Sequence, residues 1–210
     1  AYAVIIVLVA VEARNTQQWL VVQTATDTRQ LALEYIQANW PADTPVVAGD
    51  TTGTYGVPLT RNEVSIQRAY QLGKAPLQSW DWWLKLPPEK RPQPAYNVYG
   101  PEMQAVVKSF DALTTLIQDE RISYVLETDY CFGSINRPDA TSDMEYPAIN
   151  DALRANWELV MTFSPYNGEC EGEIEARMGL AIGNVAALRR QVRPGPLVRI
   201  YKVRTANQSG

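Results

Sequence analysis

The amino-acid sequence predicts an α/β fold: a mixed sheet of about four to six strands flanked by helices and preceded by a partial or single N-terminal transmembrane helix. Three observations lead there. A helix signal followed closely by a strand signal recurs three times, a last alternating strand comes near the end, and the first residues form an apolar run with no charge before Glu12. Short α-to-β links repeated in this way favour a sheet covered by helices, with right-handed crossovers wherever successive strands are parallel.

The N-terminal run reads AYAVIIVLVAVEARNTQQW. A half-buried strand takes four to eight residues of alternating polarity and a membrane span takes ~20 apolar ones, so Tyr2 to Val11 satisfies neither description. Its β-branched, continuous character fits a buried parallel strand. A span missing its first half, continued past Glu12 through Trp19, Leu20, Val21 and Val22, also explains a tryptophan at the polar edge. A complete signal peptide fits poorly, because no Lys or Arg precedes the run and no small-residue cleavage site clearly follows. The expectation is a membrane-anchoring helix, or its C-terminal part, over residues 1–22, then a folded domain over 23–205 and a tail over 206–210.

In the first unit Asp27 with Gln30 makes an approximate capping box, Leu33, Ile36 and Trp40 share one helix face, and Pro41 stops the helix before a strand from Pro45 to Ala48. In the second, Ser109 is the N-cap of a helix burying Phe110, Leu113, Leu116 and Ile117. The charged turn Asp119, Glu120, Arg121 then leads into an alternating strand from Ile122 to Glu127. The third has Pro147 in the first helical turn, Ile149, Ala152 and Leu153 on one face, and a strand from Trp157 to Phe163. The last strand, Leu197 to Val203, alternates and is expected at an edge of the sheet.

Two stretches break the rhythm. Residues 74–101 are rich in proline and carry Trp80, Trp82, Trp83, Tyr96 and Tyr99, which reads as a long ordered excursion with a short helix over Gln78 to Leu86. Residues 167–193 place Glu169, Glu171, Glu173 and Glu175 before an apolar stripe that ends in Arg189, Arg190 and Arg193. Acid first and base last is the order a helix dipole favours, so an inserted helix is expected here.

Charge and composition narrow the chemistry. Nineteen basic against 23 acidic residues give a net charge of −4, leaving no broad positive field for a polyanion, so no nucleic-acid partner is expected. The absence of histidine removes the usual Ser/His/Asp, Cys/His and His-rich zinc constellations. No cofactor and no metal site is expected, and any chemistry falls to carboxylates, Lys, Tyr or Cys. The cysteines, Cys131 and Cys170, are enough for one bridge outside the cytoplasm or are two buried free thiols.

The candidate ligand or partner surface comprises Trp80, Trp82, Trp83, Tyr96, Tyr99, Glu127 and Asp129. Glu127 and Asp129 in LETDYCFG end the second-unit strand, where α/β proteins place ligands, although solvated carboxylates ending a strand have the same appearance. The clustered tryptophans stack on sugars, sit at a lipid interface or fill a satellite core under a loop, and filling a core is the commonest of these. Gly49 to Gly56, in GDTTGTYG, lacks the Gly-Lys-Ser/Thr ending of a phosphate loop and reads as a turn. Gly179 and Gly183 have small-xxx-small spacing, which ordinary helix packing explains.

Three phrases occur in order along the chain: DTRQLALEYIQANWPADTPVV after the apolar segment, YPAINDALRANWELVMTFSP, and RPGPLVRIYKV. Together they resemble the C-terminal extracytoplasmic domain of membrane-embedded glycosyltransferases that take sugar from a polyprenyl-phosphate donor, the protein O-mannosyltransferase and aminoarabinose transferase superfamily. The resemblance rests chiefly on Asp27 to Pro41 and Gly195 to Tyr201, covers most of the chain, and has structural rather than catalytic motifs. It implies an α/β domain on the periplasmic or cell-surface side, in contact with membrane lipid through the N-terminal helix. The family's catalytic acid lies on an early loop among many spans, so no catalytic residue is carried over. A structural or assembly subunit of a membrane complex is the alternative. Placement outside the cytoplasm implies a Cys131 to Cys170 bridge.

Overall fold

A computed structural model describes residues 2–48, 56–72, 85–100, 110–129, 155–167 and 191–204. The N-terminal run is a helix, α1 (Tyr2–Thr24), not a strand. Helix α2 (Thr28–Asn39) leads to strand β1 (Pro45–Ala48), and helix α3 (Glu63–Gln71) to strand β2 (Asn97–Tyr99). Helix α4 (Phe110–Asp119) then leads to β3 (Tyr124–Asp129), followed by β4 (Glu158–Phe163) and β5 (Leu197–Lys202). The sheet order is β2-β1-β3-β5-β4. β1 runs parallel to β2 and to β3, whereas β5 is antiparallel to β3 and to β4, so the sheet is mixed, as expected.

Helices cover both faces. Ala32 and Ile36 of α2 and Trp40 at its C-terminal cap join Val46, Ala48, Val98, Leu126, Val198 and Ile200 in one core, with the Trp40 ring stacked on Tyr124 at 4.1 Å. On the opposite face Leu113 and Ile117 of α4 pack with Tyr99, Val125, Trp157 and Tyr201, and Phe110 leans on Trp157. The strict alternation of β3 divides its side chains between the two cores: Leu126 belongs to the first, Val125 to the second.

The α-to-β links close through local chemistry. At the end of α4 the Ile122 amide donates to the Ile117 carbonyl and the Arg121 amide to the Gln118 carbonyl, with Arg121 at φ 51°. This is a Schellman ending, whose left-handed position suits glycine. Arg121 is exposed, so Arg121→Gly is expected to raise the melting temperature through about 0.5–1 kcal/mol of relieved strain. Thermal unfolding followed by circular dichroism checks it.

Several expectations need correction. The strand expected at Ile122 begins at Tyr124, since Ile122 is held in the helix ending. The last strand does not lie at an edge: β5 runs between β3 and β4, and Leu197, Val198, Ile200 and Tyr201 are all buried. Gln30 does not close a capping box, because its side chain bonds Glu34 on the same helix. The proline-rich excursion ends in a true strand, β2, and α3 precedes it, started by the Asn62 side chain accepting from the Ser65 amide. The N-cap Ser109, the third-unit helix face around Ile149 and most of the inserted segment lie outside the described residues. The two ends of that insertion meet at the sheet, where Tyr166 and Gln191 form an antiparallel bridge.

The transmembrane expectation is also corrected. Among the described residues no helix is long and apolar enough to cross a membrane. Glu12, Arg14 and the polar residues through Gln18 interrupt α1, and the charge-free part from Tyr2 to Val11 rises only about 15 Å against a hydrocarbon core of ~30 Å.

Tyr96 is fully buried beside Trp40, and among the described residues its hydroxyl has no hydrogen-bond partner. Burial alone pushes its ionisation upward. A buried polar group without a partner carries its full desolvation cost, so Tyr96→Phe is expected to leave stability unchanged or raise it by about 1 kcal/mol. Urea unfolding of the two proteins decides it, and a marked loss would reveal a hidden partner for the hydroxyl.

Candidate functional site

Of the two carboxylates singled out in the sequence, Glu127 is buried, at 7% exposure for the whole residue. It lies near the carboxyl end of β3, directly across from Arg199 of β5 in the ladder, with Tyr201 two residues along on the same face. The Arg199 Nη1 is 3.2 Å from the Glu127 Oε2, and the Tyr201 hydroxyl donates to that same oxygen at 2.9 Å. Both charged side chains are enclosed, with 5% exposure for Glu127 and 15% for Arg199. Cross-strand pairing places opposite charges within reach, and burial makes each depend on the other. The carboxylate is therefore a structural acceptor inside the second core rather than a solvated strand end.

A second polar cluster surrounds β2, drawing on α3 and the residue that follows α4. Arg68 of α3 donates to the Asn97 Oδ1 at 2.8 Å and places its guanidinium 3.7 Å from the centre of the Tyr99 ring. The Tyr99 hydroxyl donates to the Glu120 Oε2 at 2.7 Å. Burial first, and the Glu120 hydrogen bond second, push the Tyr99 phenol up to about 12. The neutral phenol is thus favoured in the folded state. Its contribution is complete below the ordinary phenol value of 10.0 and is lost as pH rises towards 12. Tyr99→Phe should remove this alkaline dependence, measurable as a smaller fall in stability between those two pH values.

A third junction ties the two ends of the domain. The Thr28 amide donates to the Pro194 carbonyl at 3.0 Å and the Thr28 hydroxyl to the Pro196 carbonyl at 2.6 Å. Between those carbonyls Gly195 adopts φ 102°, and a Cβ there would land on Thr28 Oγ1 and Asp27 Oδ1. Asp27 caps α2 by accepting from the Arg29 amide at 2.7 Å, and Arg29 also pairs with it through its side chain. Burial works to raise the Asp27 carboxyl, but the Arg29 side-chain bond, the amide bond and the Arg29 charge together hold it below its ordinary value. The depressed group contributes stability above the unfolded-state carboxyl range, lost as pH falls through the folded value. Asp27→Asn should flatten part of the acid limb of a stability-against-pH curve.

The remaining candidates separate clearly. Tyr96 and Tyr99 are interior side chains, 0% and 1% exposed, one in each core. Asp129 ends β3 opposite Leu197. Trp80, Trp82, Trp83, Cys131 and Cys170 lie outside the described residues, as do Gly49 to Tyr55, Gly179 and Gly183. Among the described residues no cluster of three or more acidic, cysteine or histidine side chains is arranged to hold a metal. Sequence reasoning missed Arg199, Tyr201 and Arg68. The signal for the first two was available, because Arg199 and Tyr201 alternate on one face of a strand whose other face carries Val198 and Ile200, and call for a buried acceptor.

The surface of α1 differs from all of these. Ile6 and Val9 are about two-thirds exposed, Val11, Trp19, Leu20 and Val21 are also exposed, and Val22 is buried where the helix meets the domain. Gln18 reaches the Gln191 carbonyl at 3.4 Å, so the foot of the helix lies against the strand-β5 approach.

Comparison with protein-family models, curated proteins and solved structures finds no match. Fold and geometry alone therefore bear on function.

Proposed function

We propose that the chain is a non-catalytic extracytoplasmic α/β domain of the kind that terminates lipid-linked-sugar glycosyltransferases, held at the membrane by the apolar half of α1. The exposed apolar surface of α1 is the observation that carries this reading. Ile6 and Val9 stand in solvent on a helix with no charge before Glu12, an arrangement that costs free energy in water and is relieved by lipid or a partner helix. Support comes also from the junction described above. The two phrases on which the resemblance rests, around Asp27 and around Gly195, pack on one another immediately after α1. The buried carboxylate Glu127 is engaged by Arg199 and Tyr201, which suits a scaffold rather than an acid catalyst.

Vesicle flotation tests the membrane part. The protein is expected to rise with phosphatidylcholine vesicles, while an Ile6→Glu, Val9→Glu variant with unchanged circular dichroism stays in the dense fraction. Wild-type protein that remains in the dense fraction overturns the lipid contact. The non-catalytic part is tested by incubating the chain with a polyprenyl-phosphate sugar and an acceptor peptide or glycan, where transfer would overturn it. A second reading, an assembly subunit of a membrane complex, is favoured by Trp19, Leu20 and Val21, exposed beside the folded domain. It predicts that replacing these three leaves flotation intact but abolishes co-purification with a membrane-protein partner.

A further inference from the structure

We draw no further inference here: the strongest candidate, the buried Glu127, Arg199 and Tyr201 cluster on the α4 side of the sheet, is engaged within the sheet by an ion pair and a hydrogen bond, and no second observation points to a ligand.

Discussion

Replacing Gly195 with alanine is expected to lower the stability of the domain by about 3 kcal/mol or more. Two costs coincide at this residue. Its φ of 102° is a region that side-chain-bearing residues rarely occupy, which alone costs on the order of 1–3 kcal/mol. A methyl group would also be driven into Asp27 and Thr28, and forcing atoms into a filled site costs a further 1–3 kcal/mol or so. Neither neighbour is free to retreat: Asp27 holds the start of α2, and Thr28 is bonded to the carbonyls on both sides of the glycine. With a urea dependence of about 2 kcal/mol per molar, the unfolding midpoint should fall by ~1.5 M at unchanged slope. A midpoint that does not move would show that the loop before β5 shifts without penalty, and that this junction does not tie the ends of the domain.

Glu127→Leu is the second large effect. It leaves Arg199 buried without its counter-charge and removes the acceptor of the Tyr201 hydroxyl, so a loss of about 3–5 kcal/mol is expected. The informative protein is the double variant. With Arg199→Leu added, the isolated charge disappears, and apolar side chains across the β3-β5 ladder should recover most of the loss. A double-mutant cycle from urea unfolding should therefore give a coupling well above 1 kcal/mol. Independent losses that simply add would mean that the two side chains do not act as a pair.

The sheet was legible where local pattern and tertiary role agree. Leu113, Ile117 and Phe110 fall at helical spacing and are the residues with which α4 meets its core. Pro45 to Ala48 is short, apolar and bounded by turn residues, and it is a strand of the interior. The position of β5 was not legible, because Arg199 and Lys202 give it the look of an edge. Among the described residues it is the carboxylate opposite, on a strand some seventy residues earlier, that pairs with the guanidinium inside. β2 was hidden for a different reason: Asn97 to Tyr99 follows a run of prolines, and its pairing comes from β1, far away in the chain. The fit of Gly195 against the start of α2 was not legible, because Asp27 and Thr28 lie far from it in the chain. The apolar run of α1 was legible as helix from its unbroken apolar pattern, but a membrane helix is not supported, because among the described residues Glu12 and Arg14 leave no stretch long and apolar enough to cross a membrane.

The order of strands has a bearing on how this domain is made. Synthesis delivers β1, β2, β3 and β4 first, yet among the described strands β4 pairs with β5 alone. Until residues 197–202 leave the ribosome, the first three strands can associate while β4 waits with its pairing edge open, which is the condition in which nascent chains pair wrongly with one another. Among the described strands the keystone is the one translated last, and removing it would cost the sheet β4 as well as β5.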